Sequence, residues 1–361
     1  MKKTIIITTL LIMALGTVAQ IKVEVSEAVE LMGILSRTAG YEEYCHNAAG
    51  QYSKDTEDWF APHKNHPTIP YYQDIRAKYG ISYEKVTNMA VHLDIEKGKV
   101  KLVGDRKELN NGWQNVDLDD FISRLNQFYT DTRFHEFFEQ HRAFYAEATQ
   151  WYQNNMMPAF HPEWYGRFYY GKEPTETFRV IIGFTHGYNS NGVWRQLPGK
   201  PREVIAVCGY YLDSAKRGPK FDAAILIHEM CHSFINPLLD DATNAAMMQD
   251  IGQKLLRLSQ AAMMRQAYNN WQIVINESLV RASVIIYLID NGFNRNVAGS
   301  VLTSEMTNNG FLWMPELVAS LRQYAAYRDK YRTLNDYYPE IVRCLGKYID
   351  KETAIITKAL K

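Results

Sequence analysis

Cysteine is scarce in this chain. There are four in 361 residues, and Cys45, Cys208, Cys231 and Cys344 form no CxxC pair. That wide spacing excludes a cysteine metal knuckle. In an oxidising compartment it allows one or two disulfides without requiring any. An excess of charge of one sign is also missing: 40 Lys and Arg balance 40 Asp and Glu. This excludes the strongly basic surface of a nucleic-acid binder and a polybasic membrane patch. There are no internal repeats and no low-complexity tract. After the first twenty residues no segment reads as a membrane span. What the chain has in quantity is aromatic side chains, at 13% with 24 Tyr. These argue for a well-packed globular protein and against disorder.

The N-terminus has its own pattern. Met1-Lys2-Lys3 is a short positive start, Thr4 to Gly16 is mostly apolar, and Thr17-Val18-Ala19 offers small residues for cleavage before Gln20. The pattern predicts a signal peptide over 1–19 and a secreted or periplasmic mature chain. No Cys follows closely, which argues against a lipoprotein anchor.

Apolar spacing at Ala28, Leu31, Met32 and Leu35 predicts a helix over Ser26–Arg37, stopped by Gly40. The stretch from Gln51 to Pro70 is polar, holds Pro62, Pro67 and Pro70, and reads as a surface loop. Met89–Leu93 reads as a strand or a buried helical turn. Asp119–Gln153 is strongly helical, with a Phe-rich stripe suited to a core. Two β-branched runs, Thr177–Phe184 and Glu203–Leu212, read as strands, with turn chemistry at His186–Gly192 between them. Helices follow at about 221–236, 242–262, 264–290 and most of 300–358, with Asn291-Gly292 ending the third. The fold class is therefore α+β and mostly helical: a mainly helical region over 20–165, then a region over 166–361 with a small mixed or antiparallel sheet and C-terminal helices.

The chemistry is concentrated in His228-Glu229-Met230-Cys231-His232. Histidines four apart on a helix share one face and can grip one metal ion. Glu229 is turned about 100° from the first ligand and stands alongside the metal, where a bound water sits. Zinc lowers the pKa of that water and the carboxylate takes its proton, so Glu229 is the expected catalytic base. Phe221, Ala224, Ile225, Ile227 and Phe234 make this a buried helix, where unmetallated polar groups are costly. Cys231 lies on another face and is expected to pack as a small apolar residue.

Two histidines leave one protein ligand to be found. A third histidine after a glycine is excluded, because the relevant positions are Ile235 and Leu238. A carboxylate fits better. Glu277 stands in the apolar run Trp271–Ile289, where a lone charge is expensive unless it meets a cation or metal. Arg281, one turn on, is placed to orient it from behind. Asp240 and Asp241, after Pro237, are the rival ligands.

An HExxH helix joined to a downstream Asn276-Glu277 resembles the gluzincin metallopeptidases. The intervening gap is longer than in the thermolysin-like members. The leader, Glu30–Leu35, Gly40-Tyr41-Glu42-Glu43-Tyr44 and the metal motif together also resemble a secreted bacterial family of unknown function, DUF4932. The gluzincin likeness implies a zincin-like helix after the sheet, a Zn2+ cofactor, a peptide or protein substrate, and an oxyanion-stabilising Tyr, His or Arg. Tyr210, Tyr211, His186 and Tyr268 are the candidates for that last role. It also implies that substrate adds to a sheet edge, for which Glu203–Tyr211 is the candidate, flanked by Asn189–Gly192. A zinc hydrolase of a non-peptide or cell-wall amide, and a non-catalytic binding protein with a retained metal site, are the other two readings. The intact Glu229 argues against the last, because a structural site needs no base.

Overall fold

The structure is a computed structural model that describes residues 21–213, 218–219 and 223–359. The signal-peptide reading of 1–19 lies outside the described residues. The fold is α+β, 65% helical, with one small mixed sheet.

The N-terminal half begins with strand β1 (Lys22–Glu24) and continues through helices α1 (Glu27–Thr38), α2 (Gln51–Phe60), α3 (Thr68–Tyr79) and α4 (Glu84–Val91). A hairpin, β2 (Leu93–Glu96) and β3 (Lys99–Leu102), turns at Lys97-Gly98, both with positive φ, as a two-residue turn requires. Then come α5 (Asn111–Gln114), α6 (Leu118–Asp131), α7 (Phe134–Gln140), α8 (Arg142–Asn155) and α9 (Pro162–Tyr165). The long helix expected over 119–153 is thus three helices. Arg133, in the left-handed region at φ 52°, breaks it once and His141 a second time. The loop expected over 51–70 is largely helical. Its prolines stand where a helix tolerates them: Pro62 opens a 3-10 turn, Pro67 is the N-cap of α3 and Pro70 is in its first turn, where no backbone donor is needed.

The sheet is formed by β1, β4 (Thr177–Gly183), β6 (Arg202–Gly209) and β5 (Asn191–Gln196), in the spatial order β1-β4-β6-β5. β1 and β6 run parallel to β4, with Val23 opposite Val180 and Val180 opposite Ala206. β5 is antiparallel to β6, with Gly192 opposite Ala206. Val204–Cys208 is buried throughout, as a central strand covered on both faces must be. This pairing overturns the substrate-docking expectation for 203–211, since that strand has β4 on one side and β5 on the other. The edges are β1 and β5, and the start of β5 falls in the segment that reads as a turn because Asn191-Gly192 open it. A short pair, β7 (Leu212–Asp213) and β8 (Gly218–Pro219), follows.

The C-terminal half is helical: α10 (Ala223–Asp240), α11 (Ala242–Leu258), α12 (Gln260–Arg265), α13 (Trp271–Asp290), α14 (Arg295–Thr307), α15 (Met314–Ala326) and α16 (Leu334–Ala359). By length and composition α13 is apolar enough to cross a membrane, contrary to the sequence reading that nothing after the leader comes close. Here it is a core helix: Val274, Ile275, Leu279, Val280, Ala282 and Tyr287 are wholly buried, and it packs against α10, α11 and α15. Asn291 caps it and Gly292, at φ 74°, ends it. α10 is held between α13 and the edge strand β5. Ser233 Oγ donates to the Val193 carbonyl at 3.2 Å. Pro237 inside α10 withholds the donor that the Ser233 carbonyl would otherwise receive, and Arg202 Nη2 fills the gap at 2.8 Å.

Candidate metal centre

α10 delivers His228 and His232 from adjacent turns, and α13 delivers Glu277 to meet them. His228 Nε2 and His232 Nε2 lie 3.1 Å apart, and Glu277 oxygens lie 3.6 Å and 3.4 Å from them. Three ligand atoms from three residues thus sit within one small sphere. Tetrahedral zinc with bonds of about 2.0–2.1 Å needs ligand–ligand separations of about 3.3 Å, so the donor set fits that ion. Without a metal the two Nε2 atoms are at hydrogen-bonding distance, one ring donating and the other accepting according to tautomer, and a bound ion would take the place of that proton. His232 Nδ1 is 3.1 Å from Asn236 Oδ1. An amide oxygen there accepts the Nδ1 proton and leaves the Nε2 lone pair for a metal.

The electrostatics follow from burial and from Glu277. Burial lowers His228 to about 3, despite the carboxylate beside it. Burial also disfavours charge on His232, but the hydrogen bond and charge of Glu277 outweigh it and push that group up to about 9. Burial works against an ionised Glu277, yet the two histidines and Arg281 hold it well below the usual carboxylate range. Glu277 is an anion waiting in a cationic pocket.

Arg281 holds that anion in place. Its Nε donates to Glu277 Oε2 at 3.1 Å, Nη1 to Glu305 Oε2 at 2.8 Å and Nη2 to the Tyr268 hydroxyl at 3.1 Å. The guanidinium also lies over the Phe311 ring, 4.9 Å from its centre. A planar fork with every arm engaged fixes the carboxylate more firmly than a lysine would. Glu229 borders the same cavity of about 540 Å3 as the triad. Burial raises its carboxyl to about 7, and the Gly192 N–H bonds to it.

Of the four oxyanion candidates, only Tyr268 borders the cavity that holds the triad. Its oxygen accepts from Arg281, and the same hydroxyl is a hydrogen-bond partner of Glu277. Tyr210 packs instead against Phe184 and Phe144, and His186 is buried beside Tyr44 and Thr87. Tyr211 lies against Tyr188, which borders a neighbouring cavity. The rival ligands are elsewhere. Asp241 is the N-cap of α11, accepting from Thr243 N at 2.9 Å and Asn244 N at 3.1 Å. Asp240 borders an adjoining cavity and is not one of the triad. Cys231 is wholly buried, and all four cysteines are free. Sequence reasoning missed Asn236, though its place four residues after His232 was a usable signal. It also missed Glu305, which arrives from a distant helix.

No curated protein and no solved structure matches the chain. The family model described as a domain of unknown function, DUF4932, matches residues 21–344. That span takes in the sheet, the triad and the Arg281 network, and on it the chain belongs to the DUF4932 family.

Proposed function

We propose that this chain is a secreted zinc-dependent metallohydrolase of gluzincin type, a peptidase, with His228, His232 and Glu277 as metal ligands and Glu229 as general base. The observation that carries the reading is the mutual spacing of 3.1, 3.4 and 3.6 Å among the three ligand groups. When bound, zinc supplies Lewis acidity that brings the pKa of water near neutrality. Glu229, with a pKa of about 7, accepts a proton from the attacking water and returns it to the leaving amine. Arg281 and Asn236 keep Glu277 and His232 in their ligating orientations. Tyr268 donates its hydroxyl proton toward the developing oxyanion. Access is from the cleft beneath β5, lined by Ser190, Asn191 and Gly192.

The test is metal analysis and casein hydrolysis on the chain starting at Gln20. About one zinc per chain is expected, with hydrolysis lost to a chelator and restored by zinc. A chain that binds no zinc, or binds it and leaves peptides intact, sinks the reading. Sequencing the N-terminus of the exported protein tests secretion, with Gln20 expected first.

A further inference from the structure

The turn that opens α4 is built against the preference of its backbone. Lys85 N donates to the Ser82 carbonyl at 3.0 Å, which closes the turn Ser82-Tyr83-Glu84-Lys85. At its first central position Tyr83 has φ 46° and ψ −119°. These are type II′ values, and that position suits glycine because a Cβ crowds the backbone there. A bulky tyrosine is among the poorest residues for it. Four non-glycine residues have positive φ among the described residues. Lys97 serves the hairpin of β2 and β3, and Arg133 the break between α6 and α7. The other two, Tyr83 and Ala267, both border the cavity that holds the triad and Glu229.

The fold itself makes little use of this side chain. Tyr83 is 56% exposed, and its ring has no hydrogen bond, aromatic partner or cation contact among the described residues. A large aromatic residue held in strained backbone and left open does not owe its place to packing. Strain of this kind is kept where a side chain meets a ligand. The neighbouring wall has matching character. Ala267 and Tyr268, from the connection between α12 and α13, and Ile273, in the first turn of α13, border the same cavity. Ile273 is only partly covered, so this part of the wall also presents apolar surface.

We infer that Tyr83 is a specificity-determining residue: its ring forms one wall of a subsite in the metal cleft and packs against an apolar or aromatic side chain of the substrate. The inference rests on the peptidase reading, which puts a peptide in the cleft.

Equilibrium binding and denaturant melts test it together. Labelled peptides are titrated onto zinc-loaded Glu229→Gln protein, with Phe, Leu, Gln or Ala placed in turn at each position of an otherwise Ala-Gly peptide. At one position Phe and Leu are expected to bind about tenfold tighter than Gln or Ala, the size of an aromatic contact with its buried apolar area. Tyr83→Gly, added to the same protein, should bring Phe to within about twofold of Ala at that position alone. Tyr83→Phe should keep the preference, because the ring carries the contact. Tyr83→Gly also relieves the turn, so its denaturation midpoint should rise. A structural residue would behave otherwise: its removal would lower the midpoint and weaken all the peptides alike. That result, or a Phe preference untouched by Tyr83→Gly, overturns the inference. Cleavage by the wild type with no apolar preference at any position would sink the subsite and leave the peptidase standing. A Tyr83-dependent preference in a wild-type protein that cleaves nothing would uphold the subsite and sink the peptidase.

Discussion

Gly192 in β5 and Glu229 in α10 are in backbone contact. A Cβ at residue 192 would lie 1.8 Å from the Glu229 carbonyl oxygen, and the Gly192 N–H bonds to the Glu229 carboxylate. One residue without a side chain therefore lets the edge strand close onto the helix that carries the proposed base, and it also contacts that carboxylate. The cleft and the candidate metal centre are joined at this point.

Gly192→Ala should consequently damage both stability and the site. The obstructing atoms are backbone, so no rotamer change relieves the clash, and the cost should reach or exceed the upper end of the ~1–3 kcal/mol typical of overpacking. Gly299→Ala is the control. Nothing lies within 4 Å of a Cβ there, and the residue is inside α14, where Ala gains about 0.5–1 kcal/mol over Gly. Denaturant melts of the two variants should move in opposite directions. A Gly192→Ala protein as stable as the wild type would mean that β5 and α10 are not this close.

Glu229→Gln should keep zinc and lose hydrolysis by roughly 10²–10⁴-fold, the range for removing a general base. The Gln side chain still accepts from Gly192 but takes no proton from water. Metal content and turnover are measured on the same sample. Loss of zinc in this variant would make Glu229 a ligand and contradict its assigned role.

Glu277→Ala should weaken zinc binding by at least about a hundredfold, beyond the 10–100-fold expected for a supporting residue such as Arg281. Asp240→Ala and Asp241→Ala should retain zinc. Asp241→Ala should still cost about 1 kcal/mol of stability, because it removes the cap of α11. Competition with a chromogenic chelator gives the affinities. An aspartate variant that loses metal while Glu277→Ala keeps it would refute the ligand set.

The candidate site was legible where its spacing is local and lost where it is not. His228, Glu229 and His232 are one turn of helix, and Glu277 betrays itself as a charge in an apolar run. Helical spacing also supplied the link from Glu277 to Arg281. Tyr268 could not be told from Tyr210 or Tyr211, because proximity in space is decided by how α12 and α13 meet. The order of strands was equally hidden. Glu203–Tyr211 looked like an edge because it is the last long strand before α10, yet β5 folds back beside it. Prolines at 62, 67 and 70 suggested a loop, since sequence alone does not show whether a proline stands at the start of a helix or inside one.

Glu30 gives a pH test that is independent of the metal. It is wholly buried in α1, where Oε1 accepts from Phe184 N at 2.8 Å and Oε2 from the Tyr52 hydroxyl at 2.7 Å. Burial outweighs these bonds and raises its pKa from 4.5 to about 7. The folded protein therefore holds this proton more tightly than the unfolded chain does. Below pH 4.5 both states are protonated and the group has no effect. As pH rises toward 7 the unfolded chain releases the proton first, so folding stability falls, and above about 7 the loss is complete. At 1.36 kcal/mol per pKa unit this amounts to about 3 kcal/mol. Glu30→Gln cannot ionise, so its stability relative to the wild type should rise by that amount between pH 4.5 and 8. The missing acceptor for Tyr52 only offsets the curve by a constant. Denaturant melts of both proteins across this range measure the difference, and curves that stay parallel would show that Glu30 does not titrate between the two states.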